Sequence, residues 1–586
     1  MKSRHFFLAL AIGLTAAACQ RGPADGEYTL HVLTTNDVHG SWFDSTYVGD
    51  GIKKSLFACN HYIDSVRNAD GADNVLLVDV GDCLQGDNAA YYYNYVDTVT
   101  PHLFPRLCAY MKYDAVVVGN HDIETGHKVY DRVTSDLKAA GIPFLAGNAI
   151  RNDSGKPYFP GYAVFKKAGL KVLLLGYTNP NMKAWLDESL WSGMTFESLL
   201  PLVQHDVDSL KAKVKPDVTI VAVHSGAGNG DGTVLESQAM DLYESLTGVD
   251  LIVYAHDHRP LAESREGLGI MNSGSHSRNV GHAVLKVTVK DGRAEVDSVG
   301  TSLIPVRAEK ADPEMRKAFS KDFGAVRAFT LRKVGELKGD LVTREAYRGM
   351  CTYMNFIHAI GLEHAEISIA APLTFNGTVT AGTLVYNDLF TLYPYENQMF
   401  VLKLSGRELK DYLEYSYDGW IRTAEDVKAV AEGRSQNHVL RIRQSGDARY
   451  SQKRWSFERA SYNFDSAAGI NYSVDVTKPF GERVTIGSMA DGAPFDENRE
   501  YSVAMTSYRA SGGGNILEKG AGVADSSERI SARLPEYREM IYDYLQKNGS
   551  IDPAVIDGNP ALGHWEFTPA PYAEKAIDRD MELMFR

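Results

Sequence analysis

Metal-binding side chains occur at the ends of five apolar segments in the first half of the chain. Each segment is rich in Val, Leu or Ile and ends abruptly in a polar cluster. The clusters offer carboxylate, imidazole and amide groups, which bind Zn, Mn, Fe or Co in hydrolytic sites. The candidate ligands are Asp37, His39, Asp82, Asn120, His224, His256 and His258. This set is large enough for two divalent metal ions that share one bridging ligand and keep positions open for water and substrate.

Each candidate has an ordinary structural explanation when it is taken alone. A His beside a strand is commonly a hydrogen-bonded core residue, and an Asp after a strand commonly caps a helix or shapes a turn. Those explanations do not account for ligand types at five separate strand ends. The pattern therefore favours a dinuclear site. Two bound ions would activate water as the nucleophile, so the neighbouring thiol of Cys83 is not needed for that step.

The apolar segments also predict the elements that position these side chains. Continuous apolar runs of about 4–8 residues are typical of buried strands. The runs are residues 28–35, 74–80, 115–118, 218–223 and 251–254. Helical patterns lie between them, for example at 55–67 and 203–214. This alternation predicts a layered α/β domain whose chemistry collects where strands end.

The chain is long enough for more than one domain, because a hydrophobic core rarely grows past about 250–300 residues. The alternation ends near Pro305, so we expect a first domain at 28–307. Residues 308–336 are charged and helical in character and predict a linker helix. Residues 337–548 mix strands with helices, one of them amphipathic near 406–415, and predict a smaller α+β domain. Residues 549–586 are rich in Pro and acidic residues and predict an irregular tail.

The first 19 residues are typical of a secretory signal peptide. Lys2 and Arg4 precede an apolar run at 6–18, and Cys19 follows. The Ala-Ala-Ala-Cys end of this segment resembles a bacterial lipoprotein processing site, and the alternative is an ordinary cleaved signal. We expect an exported lipoprotein, periplasmic or on the outer membrane or cell surface, that meets the membrane only through its N-terminal lipid. No later segment reaches about 18 unbroken apolar residues.

The net charge of −14 argues against a nucleic-acid polymer as partner, since that needs a basic face. A small anionic substrate remains compatible, because metal ions supply local positive charge.

The polar clusters resemble those of the calcineurin-like metallophosphoesterases. The matching strings are Asp37-Val38-His39, Gly81-Asp82, Gly119-Asn120-His121-Asp122 and His256-Asp257-His258, together with His224. The longer strings TTNDVHG and DVGDCLQGD are similar to the exported branch that contains 5′-nucleotidases and 2′,3′-cyclic-nucleotide 2′-phosphodiesterases. The resemblance implies a four-layer α/β sandwich followed by a smaller α+β nucleotide-binding domain. It also implies two divalent ions, which could be Zn, Mn, Co or Fe.

The resemblance implies a role for each residue of the clusters. Asp37, His39 and His258 would hold the first ion; Asn120, His224 and His256 would hold the second; and Asp82 would bridge. His121 would act at the phosphate. Glu124 stands where some relatives have an Asp that pairs with the catalytic His, and Ala255 stands where Gly is usual.

The second half resembles the same branch through AAPLTFNG, LYPYENQ, YNFDSAAGINYSVDVTKP and SYRASGGGN. In this family the second domain stacks the base between two aromatic rings, and Tyr395 and Tyr508 are the matching pair. Arg509 and the Gly-rich loop at 511–515 are expected to shape the pocket. Asn376 and Asp465 are expected to hydrogen-bond the base or ribose.

The same strings bear on the substrate. Many 5′-nucleotidases have a Gly-rich segment ending in Arg where this chain has Phe375-Asn376-Gly377. PYEN and YRASGGG are closer to enzymes for 2′,3′-cyclic nucleotides and 3′-nucleotides, so we favour that small-molecule nucleotide substrate. A 5′-nucleotidase or UDP-sugar hydrolase is the alternative. A non-catalytic, nucleotide-binding surface lipoprotein would be expected to have lost metal ligands, and the motifs keep them all.

Overall fold

The structure is a computed structural model that describes residues 22–265, 267–422, 438–444 and 455–585. The expected signal peptide and Cys19 lie outside the described residues. Among the helices that are described, none combines the length and hydropathy needed to cross a membrane.

In the part of the first half that the structure describes there are fourteen strands. They are β1 Gly26–Thr35, β2 Val75–Asp79, β3 Ala115–Val117, β4 Phe144–Leu145, β5 Ala149–Arg151, β6 Tyr162–Lys167, β7 Leu170–Tyr177, β8 Met194–Phe196, β9 Val218–Val223, β10 Leu251–Tyr254, β11 Leu261–Arg265, β12 Leu268–Asn272, β13 Asn279–Lys290 and β14 Arg293–Pro305. The α-helices between and beside them are Leu56–Asp70, Asn88–Tyr91, Leu103–Met111, Asn120–Glu124, His127–Ala139, Glu188–Trp191, Leu199–Val214 and Ala239–Ser245. All five apolar runs in the sequence are strands, and both predicted helices are present.

Two six-stranded sheets carry this domain, in the orders β14-β13-β1-β2-β3-β4 and β11-β12-β10-β9-β7-β6. The central strands β1 to β4 run parallel in the first sheet, as do β7, β9, β10 and β12 in the second. The parallel strands therefore end on the same side of each sheet. This places the candidate ligands after β1, β2, β3, β9 and β10 near one another.

The two faces of each sheet explain the four layers. Val32 in β1 packs toward the second sheet with Leu174 and Ile220, whereas the next residue, Leu33, packs with helical residues such as Ile63. Val203 of the helix Leu199–Val214 covers the outer face of the second sheet. Strands buried on both faces read as continuous apolar runs rather than alternating ones, which is why they were visible in the sequence.

The segment expected to be one linker helix is broken. It contains the helices Pro313–Ala318 and Ser320–Thr330, and β15 begins at Lys333. Phe319 interrupts the helix with ψ near 15° and is buried, with its ring centroid 6.1 Å from that of Phe57. Anchoring this aromatic ring in the first domain accounts for the break that a charged helical pattern did not reveal.

The described residues of the second half contain fifteen further strands. They are β15 Lys333–Leu337, β16 Leu341–Val342, β17 Ile367–Ala370, β18 Thr378–Val379, β19 Gly382–Val385, β20 Gln398–Ser405, β21 Ile442–Gln444, β22 Trp455–Phe457, β23 Ser466–Ala468, β24 Ile470–Asp475, β25 Val484–Met489, β26 Glu500–Thr506, β27 Ile530–Glu536, β28 Ser550–Ile551 and β29 Trp565–Thr568. The α-helices there are Thr352–Leu362, Tyr386–Leu392, Gly406–Trp420, Ser507–Ala510, Ile516–Lys519, Tyr537–Asn548, Pro553–Asp557 and Ala570–Met584. The largest sheet has the order β23-β17-β26-β20-β27.

The expectation of an irregular tail is wrong. β29 pairs in parallel with β24, and the helix Ala570–Met584 follows it. Trp565 and Phe567 are buried from alternate positions of β29, and Ala573 and Ile577 are buried four residues apart on the helix. These spacings match a strand and a helix, respectively, and their burial in the second core outweighs the Pro and acidic content.

The four Cys of the described residues, Cys59, Cys83, Cys108 and Cys351, are free thiols.

Candidate active site

The structure brings all seven candidate metal ligands together in two adjoining clusters. In the first, Nε2 of His258 lies 3.0 Å from Nε2 of His39 and 3.5 Å from Oδ1 of Asp37. In the second, Nε2 of His224 lies 3.1 Å from Oδ2 of Asp82. The clusters touch, because the same His224 nitrogen is 4.0 Å from Oδ1 of Asp37.

Asn120 joins the second cluster through its side-chain oxygen. This oxygen lies 2.9 Å from Nδ1 of His256. His256 forms the second cluster together with Asp82 and His224. Asp82 occupies the middle of the arrangement, since its Oδ1 also accepts from the backbone N–H of His121 at 2.8 Å. This central position suits a bridging ligand.

Five of the candidate ligands adopt a backbone conformation that non-glycine residues rarely use. Their φ angles are 46° at Asp37, 47° at His39, 60° at Asp82, 83° at His256 and 59° at His258. Each such conformation costs about 1–3 kcal/mol and persists only where the surrounding structure imposes it. The strained backbone therefore indicates that the fold holds these residues in place because this conformation directs their side chains into the site.

Asp122 holds one of these strained turns in place. Its carboxylate accepts four backbone hydrogen bonds, from Gly119 at 2.8 Å, Asp82 at 3.0 Å, Cys83 at 2.9 Å and Leu84 at 3.0 Å. The loop after β2 and the turn after β3 are thus tied together by one buried side chain. This fixes Asp82 relative to Asn120.

Three imidazoles of the site favour the neutral form that binds metal ions. Burial lowers the pKa of His256 to about 3 and that of His258 to about 4, with neighbouring imidazoles adding to the effect. Burial likewise holds the pKa of His39 well below its usual value. A neutral imidazole keeps a lone pair for a metal, so no proton has to be displaced.

The two carboxylates of the site, Asp37 and Asp82, repel each other unless positive charge is added. Burial raises the pKa of Asp37 to about 8, and the nearby Asp82 carboxylate adds to the shift. The pKa of Asp82 lies well below its usual value, because His224 and His121 overcome the effect of burial. Two adjacent buried carboxylates are hard to ionise together unless cations neutralise them, which is what divalent metal ions do.

His224 provides a direct test of whether the residues fit metal ions. Its Nδ1 lies 2.7 Å from the carbonyl oxygen of Val80, which assigns the proton to that nitrogen. Its Nε2 is fully buried, has no hydrogen-bond partner of acceptable geometry and lies 3.1 Å from Oδ2 of Asp82. Asp82 and Asp37 outweigh burial and raise the pKa of His224 to about 10, so this position favours positive charge. A metal ion would supply that charge in place of the proton, so the buried nitrogen fits a metal ligand.

His121 lies beside the clusters and pairs with Glu124. Nδ1 of His121 is 2.5 Å from Oε2 of Glu124, and Gln85 donates to the same oxygen at 2.9 Å. Burial lowers the pKa of His121, but Asp82 and Glu124 together raise it to about 9. A charged imidazole held in this way can donate a proton or stabilise a negative phosphoryl oxygen.

Two aromatic side chains at the metal site escaped sequence reasoning. The imidazole of His276 has its centroid 5.3 Å from that of His39 and 5.9 Å from that of His258. The indole of Trp185 stacks on His256 at 5.2 Å and 25°. A signal for His276 existed, since it follows the polar end of the apolar strand β12 in the same way that the predicted ligands follow theirs. Trp185 lies in a short helical turn that carries no comparable pattern.

Three tyrosines of the second domain, Tyr395, Tyr462 and Tyr508, lie within electrostatic reach of carboxylates of the first domain. Burial raises the pKa of Tyr395 to about 12, and Tyr462 and then Glu124 add to the effect. Burial also raises the pKa of Tyr508 to about 12, with Arg509 opposing and Tyr462 reinforcing. Tyr462, which the sequence did not single out, is 40% exposed and so marks where this group opens to solvent.

The Gly-rich loop supports one face of Tyr508. A Cβ atom on Gly513 would come within 2.5–2.6 Å of three ring carbons of Tyr508. Only glycine allows the backbone to approach the ring so closely. The loop also meets the first domain, since the nearest atom to a Cβ on Gly512 would be the carbonyl oxygen of Ala184 at 3.7 Å.

Asp465 and Arg509 lie deeper than expected. Their side chains are 4% exposed and form an ion pair, with Nε of Arg509 2.7 Å from Oδ2 of Asp465. Arg509 also donates to the carbonyl oxygens of Gly513 and Tyr462. The pair thus holds the Gly-rich loop beside Tyr508 from inside, and the substrate contacts expected of Asp465 and Arg509 stay predictions.

Asn376 is exposed, and the substrate contact expected for it stays a prediction. Its neighbour Phe375 contacts the rings of Tyr347 and Phe585. Gly377, on its other side, accepts a hydrogen bond from the backbone of Thr343.

Comparisons with known families match both halves of the chain. The calcineurin-like phosphoesterase family model matches residues 30–260. The 5′-nucleotidase C-terminal domain model matches residues 333–519.

Named relatives cover most of the chain. The 2′,3′-cyclic-nucleotide 2′-phosphodiesterase/3′-nucleotidase of Haemophilus influenzae is 24% identical over 98% of this chain and 96% of its own length. The trifunctional nucleotide phosphoesterase protein YfkN of Bacillus subtilis is 23% identical over 94% of this chain, which spans only 40% of that protein. A 5′-nucleotidase precursor from Thermus thermophilus shares the fold, with a TM-score of 0.60 and 21% identity, over 93% of this chain and all of its own.

Proposed function

Since the chain belongs to the calcineurin-like phosphoesterases that carry a 5′-nucleotidase C-terminal domain, we propose that it opens 2′,3′-cyclic nucleotides and then releases phosphate from the resulting 3′-nucleotides. The protein is a metal-dependent phosphoester hydrolase, and nucleotide phosphoesters are the substrate class of its relatives. The proposal adds the position of the ester bond and the roles of individual residues.

One observation carries the proposal: the Gly-rich loop that supports Tyr508 lies against Ala184, whose neighbour Trp185 stacks on His256 of the second metal cluster. The second-domain loop and the metal cluster are thus joined through one short segment of the first domain. A nucleotide has two corresponding parts, a phosphate and a flat base. A phosphate at the metals would thus leave its base among the tyrosines, where stacking contributes about 1–3 kcal/mol per base.

The residues divide the chemistry among themselves. Asp37, His39 and His258 would hold one divalent ion, while Asn120, His224 and His256 would hold the other, with Asp82 between them. When bound, such ions activate water and neutralise charge on the phosphoryl group.

The backbone N–H of His121 donates to Asp82, and Asp82 and Glu124 together raise the pKa of its imidazole to about 9, which keeps the ring protonated near neutral pH. In that form its free Nε2–H can stabilise a phosphoryl oxygen or protonate the leaving sugar oxygen. Gln85 donates to the same Glu124 oxygen that pairs with Nδ1 of His121, and this fixes the orientation of the imidazole ring.

The preference for cyclic and 3′-nucleotides is supported by PYEN and YRASGGG and by the name of the Haemophilus relative. The absence of an Arg at Phe375-Asn376-Gly377 also supports it. A 5′-nucleotidase is the second candidate, and the name of the Thermus relative favours it. Hydrolysis of UDP-sugars would use the same metals.

Action outside the cytoplasm is part of the proposal. It is supported by the signal-like residues 1–19 and by the word precursor in the name of the Thermus relative. Globomycin treatment, which blocks lipoprotein processing, should cause an unprocessed form to accumulate if Cys19 is lipidated.

The test is metal reconstitution followed by product analysis. The purified protein is stripped of metal, reloaded with Mn, Zn or Co, and given 2′,3′-cyclic AMP, 3′-AMP and 5′-AMP. Preferential opening of the cyclic nucleotide, followed by phosphate release from 3′-AMP, is expected. Dominant release from 5′-AMP would make the second candidate the function. Lack of metal-dependent turnover on all three would overturn the nucleotide assignment.

A further inference from the structure

Arg538 holds the backbone directly before Tyr395. Its Nε donates to the carbonyl oxygen of Tyr393 at 3.1 Å, and its Nη2 donates to that of Pro394 at 2.8 Å. The arginine side chain is fully buried, so both bonds are made away from water. Because the guanidinium is a rigid planar fork, two such bonds fix the course of the chain into Tyr395.

The segment after Tyr395 is bonded to the segment of Tyr508. The backbone N–H of Gln398 donates to Oγ of Ser507 at 3.1 Å. Gln398 begins β20, Ser507 follows β26, and these two strands pair with each other. Since Ser507 directly precedes Tyr508, the two tyrosines that the proposed function assigns to the base are carried by neighbouring segments.

The guanidinium of Arg538 lies against aromatic rings of both domains. Its central carbon is 4.0 Å from the ring centroid of Phe390 in the second domain and 5.2 Å from that of Tyr91 in the first. The two rings meet edge to face, with their centroids 6.0 Å apart. A cation over a ring face is attracted by the ring, and more strongly where water is excluded. Arg538 therefore links the Tyr395 segment to the first domain.

Tyr91 lies in a segment that also serves the metal site. This segment starts at Asp82, the central carboxylate, and includes Gln85, which orients the catalytic pair. A second contact between the domains lies three residues before Tyr91, where Nδ2 of Asn88 donates to Oδ1 of Asn387 at 3.1 Å. The chain from Asp82 to Tyr91 thus reaches from the metal ligands to the second domain.

An ordinary buried ion pair does not account for Arg538. The closest oxygen of Glu396 is 3.7 Å from its Nη1, which is beyond hydrogen-bond distance. Within the described residues, this Nη1 and both carboxylate oxygens of Glu396 have no hydrogen-bond partner. The close contacts of the Arg538 guanidinium are instead the two carbonyl oxygens before Tyr395 and the two rings.

We propose that Arg538 is a positioning residue that sets the spacing between the base site and the phosphate site, because it clamps the Tyr395 segment onto Tyr91 of the first domain. The proposal rests on the proposed function, since it requires a base at Tyr395. It goes further by naming what keeps the two domains at the separation that one nucleotide spans. A phosphate and a base joined in one molecule gain affinity only when their sites are correctly spaced, whereas separate molecules bind each site independently.

Tyr91→Leu tests this spacing, because it removes the first-domain ring and leaves the hydrogen bonds of Arg538 to the carbonyl oxygens in place. The KM of the metal-loaded protein for the best of the three AMP substrates should rise about 3–30-fold, or about 0.7–2 kcal/mol, as expected for a lost cation–π contact. The calorimetric Kd for adenosine should not change, and neither should the inhibition of p-nitrophenyl phosphate hydrolysis by inorganic phosphate. Tyr91→Phe keeps the ring and should behave like the wild type.

Tyr243→Leu is the matched control, because the central guanidinium carbon of Arg265 lies 4.4 Å from the centroid of the Tyr243 ring within the first domain. It should leave all three measurements unchanged. If adenosine binding in Tyr91→Leu weakens as much as the nucleotide KM rises, Arg538 builds the base site rather than its spacing, and the proposal is wrong. An unchanged nucleotide KM in Tyr91→Leu also overturns it and leaves the proposed function intact. If the wild type binds no adenosine, the base site itself is absent, and the proposed function fails together with this inference.

Discussion

Nδ1 of His121 lies 2.5 Å from Oε2 of Glu124, although Glu is not the residue that the family pattern led us to expect there. Both residues belong to the short helix Asn120–Glu124, on which positions three apart share a face. The extra methylene of Glu is accommodated because Gln85 captures the same carboxylate oxygen from the opposite side. The longer side chain thus replaces the shorter one without loss of the pairing.

Replacing Glu124 should lower turnover more than substrate affinity. Glu124→Gln removes the charge that helps to raise the pKa of His121 and leaves the imidazole less often protonated. General acid catalysis contributes about 10²–10⁴-fold, so we expect kcat to fall by about 10²-fold with little change in KM. Steady-state kinetics on p-nitrophenyl phosphate measure this without involving the base. Glu188→Gln, an exposed site in the same domain, is the control, and equal kinetics in the two variants would exclude the role.

Removing a single metal ligand should weaken metal binding while the fold remains. His258 suits this experiment because its side chain is 41% exposed, so truncation leaves no large cavity. Loss of groups that only orient a ligand already weakens binding about 10–100-fold, and His258→Ala should weaken it at least as much. Calorimetric titration of the metal-free protein with Mn reports the affinity. His61→Ala, at an exposed position of the helix Leu56–Asp70, should titrate like the wild type, and identical titration by His258→Ala would contradict the assignment.

Adding one methyl group at Gly513 should damage nucleotide binding. The Cβ atom would lie 2.5 Å from the Tyr508 ring, so the ring must move out of its place. Gly513→Ala should raise KM for nucleotides by about tenfold, or about 1.4 kcal/mol, which lies within the 1–3 kcal/mol that stacking on a base contributes. Hydrolysis of p-nitrophenyl phosphate should change little, because it has no base. Gly324→Ala, where a Cβ atom meets open space, is the control. Similar losses on both substrates would separate Gly513 from base binding.

The metal site was accessible to sequence reasoning because each ligand follows a strand buried on both faces. Such strands are continuous apolar runs, and their ends are marked by abrupt polar clusters. The same reasoning missed His276, because β12 was not recognised as a further strand of this kind. The pattern identified the class of chemistry, while the pairing of His39 with His258 and of His224 with Asp82 required the packing of two sheets.

The substrate pocket was harder to predict from the sequence, because its residues are far apart in the chain and only tertiary contacts bring them together. Nothing in the sequence distinguishes an Arg that meets a ligand from one that is buried against an Asp forty-four residues away, as Arg509 is against Asp465. The broken linker at Phe319 has the same origin, since an aromatic contact with the other domain overrides the local helical preference.

Breaking the Arg509–Asp465 pair should destabilise the second domain. Removal of one partner from a buried ion pair costs about 3–5 kcal/mol, because the remaining charge is left uncompensated. Arg509→Met should therefore lower the urea midpoint markedly. Arg499→Met removes an exposed arginine from its pair with Glu366, for which the expected cost is about 0–1 kcal/mol. If both variants unfold at the same urea concentration, the pair does not hold the loop.

The stability of the protein should fall as the pH rises, because a carboxyl group is buried at the domain interface. Burial raises the pKa of Glu396 from 4.5 to about 8, with Arg538 opposing and Glu536 and Glu124 reinforcing. Neither carboxylate oxygen of Glu396 has a hydrogen-bond partner, and the closest Arg538 nitrogen is 3.7 Å away. The folded state therefore binds this proton more tightly than the unfolded state does. The resulting stability is fully present below about pH 4.5 and is lost as the pH rises through about 8.

Glu396→Gln removes this dependence because an amide does not titrate. Between about pH 5 and 9, a range chosen to include the ionisation of Glu396, the thermal midpoint of the wild type should fall further than that of the variant. A difference of about 2–4 °C is expected for each kcal/mol of linked stability. Glu539→Gln, an exposed neighbour in the helix Tyr537–Asn548, should follow the wild type. Parallel midpoint curves for the wild type and Glu396→Gln would mean that Glu396 stays ionised in the folded protein, and its buried oxygens would then need a partner other than Arg538.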